Sequence, residues 1–254
     1  MPNHKNIAGL LFAICLPIVT FASTSEQLLV GVDKGNVVYV LVTEPNAAGV
    51  DQAKQMIQNA MNQIPGSVMI ESNRADAANS AFVQEYKLAA APVPLILVFA
   101  PNGAMAGGNV ASTLSVQKLV TLVPSPKKAD VLMAIQSGQA AYVTASRAEM
   151  ASASQVTSSC AMACSQMQGK CVAIDISMDD PAEADFLKQL KVNLQATEPV
   201  TVVLNAQGQL TSTFNGPVDV TNLVQAATRK VSSGCCPPGS GKTCAPTPKK
   251  KEGK

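Results

Sequence analysis

Cysteine is the residue type in this 254-residue chain whose spacing could do chemistry, and seven are present, at Cys15, Cys160, Cys164, Cys171, Cys235, Cys236 and Cys244. Cys160 and Cys164 stand four apart in SSCAMACSQM, a spacing that on a helix puts both on one face. Two thiolates there, with Met162 or Met167 nearby, would form a soft site for Cu(I) or a redox pair. The same stretch also reads as structure. Val156, Cys160, Cys164 and Met167 follow one apolar helical stripe, on which both cysteines are small core hydrophobes or a packed disulfide. Cys171, seven residues beyond Cys164, begins the next strand and could bridge back to it across the helix-to-strand turn. Cys235, Cys236 and Cys244 lie in a Pro-, Gly- and Lys-rich tail. They would staple that tail to Cys160 or Cys171, form interchain disulfides, or bind a soft metal.

Other reactive constellations are missing from the sequence. Its single histidine, His4, sits in the N-terminal leader, so the rest of the chain has no Ser–His or Cys–His pairing and no imidazole metal site. The run Gly239-Ser-Gly-Lys-Thr243 imitates a phosphate loop, but Cys236 stands where its first glycine belongs and no strand precedes it. Asp179, Asp180, Glu183 and Asp185 read as caps of the helix they introduce, with Pro181 in its first turn, rather than as calcium ligands. No catalytic residue is assigned outside the Cys160/Cys164 alternative, and no cofactor or metal.

Charge and composition narrow the partners. The net charge is only +2 and the lysines bunch at the C-terminus, so no basic stripe exists for tracking phosphates. With no Trp and 4% aromatic residues, few platforms are available for stacking bases. Nucleic acid is therefore excluded, and another protein is the expected partner. The start, MPNHKN followed by apolar residues 7–21 with small Thr20 and Ala22, reads as a secretory signal peptide cut near Ala22. Its apolar run falls short of the ~20 residues that span a bilayer, and no later run comes close, so no transmembrane segment is expected in the mature chain. Periplasmic or extracellular localisation follows. Removing the leader leaves six cysteines, an even number that favours disulfides in an exported chain.

The elements are organised around PVPLILVFAPNG, residues 92–103. Pro94 opens a strand apolar on both faces, and Pro101-Asn102-Gly103 turns it into a hairpin. The same phrase recurs at Pro199-Val-Thr-Val-Val-Leu-Asn-Ala-Gln-Gly208. Around it other positions recur in step: Gly35 with Gly138, Tyr39 with Tyr142, Gly66 with Gly169, Phe82 with Phe186, Lys87 with Lys191, and Leu119 with Leu223. Periodicity in the first half predicts a helix over 25–34, a strand over 36–43, and a helix carrying Val50, Ala53, Ile57, Met61 and Ile64. A strand over 67–71, a helix over 79–88, the Pro94 strand, an edge strand, and a helix over 116–122 capped by Ser115 follow. Residues 123–128 (VPSPKK) read as a linker and 130–137 as the first helix of the second half. The resulting domains are a signal peptide (1–22), two repeats (23–123 and 124–231) and a tail (232–254) without apolar periodicity, expected to be disordered or tied down only by its cysteines.

This element order, the Pro before a buried strand, and the Pro-x-x-x-x-hydrophobic-x-x-x-Gly hairpin resemble the thioredoxin-like fold, once per half. The resemblance implies an α/β chain of two tandem thioredoxin-like domains, each a central mixed sheet flanked by helices. It also implies that Pro94 and Pro199 are cis and face the place of a redox dithiol, where the first strand opens into the next helix. Those places hold residues 44–49 (EPNAAG) and 146–151 (SRAEMA), without cysteine. The expected role is therefore an exported, non-catalytic binding or scaffolding protein of the cell envelope or secreted space, comparable to the inactive domains of disulfide isomerases. The alternative is an atypical thiol–disulfide oxidoreductase or copper-handling protein using Cys160, Cys164 and the tail cysteines.

Overall fold

A computed structural model describes residues 22–231. The leader and the tail, with Cys15, Cys235, Cys236 and Cys244, lie outside the described residues. The chain forms two compact units that meet at Pro124 and Ser125.

The first unit runs α1 (Thr24–Asp33), β1 (Val37–Thr43), α2 (Val50–Met61), β2 (Ser67–Asn73), α3 (Ser80–Glu85), β3 (Leu95–Phe99), β4 (Met105–Val110) and α4 (Val116–Leu122). Short 3-10 turns precede α3 and α4. A capping box starts α1: the Ser23 hydroxyl accepts from the Glu26 N–H, and the Glu26 carboxylate accepts from the Ser23 N–H at 2.7 Å. Ser115 likewise caps α4 by accepting from the Lys118 N–H. The strand order is β2-β1-β3-β4, with β1 parallel to β2 and antiparallel to β3. That places β1 in the middle, where all seven residues of VVYVLVT are buried. Alternation then splits its side chains between two layers. Tyr39 and Leu41 pack with Ile57 of α2 and Leu119 of α4. Val38, Val40 and Val42 pack with Leu28 of α1, Phe82 of α3 and Phe99.

The second unit repeats this as α5 (Pro126–Gln136), β5 (Ala140–Ser146), α6 (Ala153–Gln166), β6 (Cys171–Ser177), α7 (Ala184–Gln189), β7 (Val200–Leu204), β8 (Leu210–Asn215) and α8 (Val220–Thr228), in strand order β6-β5-β7-β8. Here Ala141, Val143 and Ala145 face Leu187 and Phe186, and Ala140 and Tyr142 face α6 and α8. Each unit is thus a four-stranded mixed sheet with helices on both faces, the thioredoxin-like arrangement that the repeated phrase led us to expect. Among the described residues no helix is long and apolar enough to cross a membrane.

Three expectations need correction. The linker is shorter than residues 123–128, because Ser125 is the N-cap of α5 and Pro126 its first residue, the position where proline's missing N–H costs nothing. Pro199 is not cis: among the described residues only the Val93–Pro94 peptide is, and trans is the lower-energy isomer of an X–Pro bond unless its surroundings enforce the other. Glu183 does not cap the helix it precedes. It is 1% exposed, and its carboxylate accepts from the Ser125 hydroxyl at 2.6 Å and the Lys127 N–H at 2.8 Å, closing the N-terminus of α5 instead. The first unit does the same with a neutral group. Buried Asn79 accepts from the Thr24 N–H and hydroxyl, at 3.0 and 2.8 Å, at the start of α1.

Candidate functional site

The place where this fold would carry a dithiol can be built up separately in each unit. In the first, β1 ends at Thr43 and the chain turns through Asn46, at φ 63°, to Gly49, at φ 82°, which is the N-cap of α2. Positive φ at Gly49 suits glycine, and no side chain caps the helix there. Cis Pro94 stands across from this turn. Between them lies a cavity of about 260 Å³, whose lining includes Ala48, Gln52, Met56, Pro94, Ser112 and Leu114. The lining contains no ionisable side chain and no thiol, so it offers shape, apolar surface, the Ser112 hydroxyl and the Gln52 amide, with no general base beside that hydroxyl.

In the second unit, Ser152 occupies the N-cap of α6 without capping it. Its hydroxyl donates instead to the Glu198 carboxylate. Glu198 immediately precedes Pro199 and lies against Gly216, so a hydroxyl–carboxylate pair spans the gap between helix start and pre-proline residue. A separate cavity of about 490 Å³, lined by neither Ser152 nor Glu198, lies between α6 and the β8–α8 turn. Met162, Phe214 and Val218 supply apolar surface, and Gln155, Asn215 and Asp219 supply polar groups. Met162 is 53% exposed.

A guanidinium holds the loop leading to each proline strand, with the partner charges exchanged between the units. Arg74, after β2, pairs with Glu44, after β1, and donates to the carbonyls of Leu88 and Ala91. In the second unit the arginine comes first: Arg147 pairs with Asp179 at 3.0 Å and donates to the carbonyls of Leu194 and Ala196. Asp179 is therefore part of this clamp, and Asp180 closes a local turn by accepting from the Ala182 N–H.

The described cysteines line neither cavity. Cys160 is 1% exposed on the core side of α6, among Tyr142, Val156, Val203 and Leu223. Its Sγ is 3.6 Å from the Thr144 hydroxyl, which is 3.3 Å from that of Thr201. Burial pushes the Cys160 thiol up, more than these hydroxyls pull it down, the reverse of what a reactive cysteine requires. Cys164, one turn on, is joined to Cys171 with 5.1 Å between their Cα atoms, within the span a disulfide bridges. Cys164 is thereby engaged, so Cys160 and Cys164 are not a free dithiol. Among the described residues no group of three or more Cys, Asp, Glu or His side chains could hold a metal ion. Ser152–Glu198 and the two cavities went unrecognised in the sequence, because Ser, Gln, Met and Leu carry no local signature of a site. The one available signal was the charge directly before Pro199.

No family model matches the sequence, and no curated protein does. Solved structures similar to the chain include the first two thioredoxin domains of Naumovozyma dairenensis Eps1p, at 10% identity and TM-score 0.30 over 80% of this chain and 94% of that one. The NTD_N/C domain of alkylhydroperoxide reductase AhpF from Enterococcus faecalis is similar at 11% identity and TM-score 0.27, over 79% of this chain and 96% of that one. The zinc-bound form of human ERp44 is similar at 12% identity and TM-score 0.36 over 80% of this chain, which spans 58% of the length of ERp44. The thioredoxin-like arrangement itself is carried by the strand order and register within each unit.

Proposed function

We propose that the chain is a non-catalytic tandem thioredoxin-like binding or scaffolding protein that works outside the cytoplasm, in the cell envelope or secreted space. One observation carries the reading. Neither helix that should present a nucleophilic thiol has one at its start, and the thiol inside α6 is walled into the core. The partner is another protein, for which the cleft beside Pro94 and the larger one between α6 and α8 provide mixed apolar and amide surface. The Cys164–Cys171 disulfide agrees with an oxidising compartment, and the leader with export.

Thiol titration tests this. The native chain should leave Cys160 unalkylated by N-ethylmaleimide until denaturant is added, and it should show no turnover with disulfide substrates. Reversible cycling of Cys160 or Cys164 in glutathione buffers, or copper retained through purification, would establish the oxidoreductase or copper-handling alternative instead.

A further inference from the structure

The cleft between α6 and the β8–α8 turn has a chemistry of its own. Among the described residues that line it, Asp219 carries the only charge, and no lysine or arginine is present. Asp219 is the N-cap of α8, with the extended backbone of a cap, yet its carboxylate makes no bond to the helix. Ser115, the N-cap of α4 in the first unit, spends its hydroxyl on the Lys118 N–H. An aspartate at this position ordinarily accepts from the first turn in the same way, so Asp219 keeps its acceptor capacity open to the cleft. Gln155, Asn215 and Asn222 line the cleft with it, and none of these four side chains makes a hydrogen bond among the described residues. Half-buried Phe214 adds a ring face and Met162, 53% exposed, a sulfur. A second carboxylate, Glu198, lies against Gly216, the residue before Pro217 of the lining.

We propose that this cleft receives an arginine side chain of the partner protein, with Asp219 as its counter-ion, which rests on the binding reading above and names the chemistry its partner presents. An anion would find no cation to pair with here, and a neutral group would cover the Asp219 charge without compensating it, at a cost in desolvation. The start of α8 contributes about half a positive charge, which the full charge of Asp219 outweighs. Arginine suits these surroundings better than lysine. Its planar guanidinium carries five donors for the carboxylate and the amide oxygens around it, stacks on an aromatic face, and gives up water more readily than an ammonium. The cleft, at about 490 Å³, is larger than one side chain fills, so residues on either side of the arginine enter it as well.

The probe is N-acetyl-arginine methylamide, titrated at matched ionic strength into the intact isotope-labelled chain and followed by backbone and side-chain amide NMR signals. Those of Gln155, Asn215 and Asn222 should move saturably, with a dissociation constant on the order of 1–10 mM for one isolated side chain, while signals around Pro94 stay in place. The citrulline analogue, equal in shape but uncharged, and the lysine analogue should each bind at least about threefold more weakly. Asp219→Asn keeps a good N-cap residue and should retain the parent's far-ultraviolet circular dichroism, but it should weaken arginine binding roughly threefold to tenfold. Asp185→Asn, on α7 across the sheet, should leave that binding unchanged. No saturable shift below about 100 mM, shifts confined to the cleft beside Pro94, equal binding of the citrulline or lysine analogue, or unaltered affinity in folded Asp219→Asn each overturns the proposal. Should that variant not fold, the citrulline comparison on the parent chain decides alone. None of these results touches the non-catalytic reading, which falls separately if Cys160 or Cys164 cycles in glutathione buffers.

Discussion

Replacing Glu183 by Ala should selectively destabilise the second unit. Glu183 carries a carboxylate that is 1% exposed and accepts two hydrogen bonds, from the Ser125 hydroxyl and the Lys127 N–H, across more than fifty positions of sequence. Hydrogen bonds to a charged group contribute about 1.5–3 kcal/mol each. Ser125 and Lys127 sit at a helix end, where water can recover part of the loss. Removing both bonds should therefore cost about 2–4 kcal/mol. For a unit of this size 1 kcal/mol moves the midpoint by about 4–8 °C, so the second unit's transition should fall by roughly 10–25 °C. The first unit closes α1 with Asn79 and should not move. Glu183→Gln, which keeps the volume and one good acceptor, should retain about half the stability lost by Ala. Asp185→Ala, at an exposed position in the first turn of α7, should change stability by less than ~0.5 kcal/mol. Differential scanning calorimetry of the four proteins resolves the two transitions. The role of Glu183 at the start of α5 is refuted if Glu183→Ala costs less than about 1 kcal/mol, or if Asp185→Ala costs as much, since both residues would then be acting only on α7.

Two further substitutions probe the cores. Tyr39 is fully buried and its hydroxyl has no protein partner, whereas the Tyr142 hydroxyl at the matching position donates to the Met167 sulfur at 3.4 Å. Tyr39→Phe should be neutral or stabilising by up to ~1 kcal/mol at neutral pH, and Tyr142→Phe should bring no gain, as read by chemical denaturation. Burial raises the Tyr39 phenol from 10.0 to about 12. A raised folded value favours the protonated form, so its contribution is fully present below pH 10 and is lost as pH rises toward 12. Phenolate absorbance should show this late titration, and Tyr39→Phe should remove it; a normal titration at Tyr39 would contradict the burial. Gly108→Ala would set a Cβ 2.7 Å from the Ile96 carbonyl and 2.5 Å from Leu97. Because backbone cannot rotate aside, it should cost about 1–3 kcal/mol, measurable as a lower midpoint of the first transition alone, and a wild-type midpoint would show that the β3–β4 contact is looser than described.

The sequence by itself determined the repeat, the order of helices and strands, and the two-sided burial of the central strands, because these follow from local punctuation and periodicity. Ser115 before its helix, Gly35 after α1, and the unbroken apolar run behind Pro94 each act within a few residues. Its cysteine spacing already contained the Cys164–Cys171 bridge as one option among several. Tertiary structure alone decided which option holds, since Cys160 and Cys164 have nearly the same local surroundings but Cys160 meets Thr144 of β5 and Cys164 meets Cys171. Glu183 shows the same limit. Nothing nearby in sequence distinguishes it from Asp180 or Asp185; it is the return of the chain past the start of α5 that takes its carboxylate out of water and hands it the Ser125 hydroxyl. The clefts beside Pro94 and α8 are likewise products of how elements meet, and their linings are ordinary residues until folding brings them together.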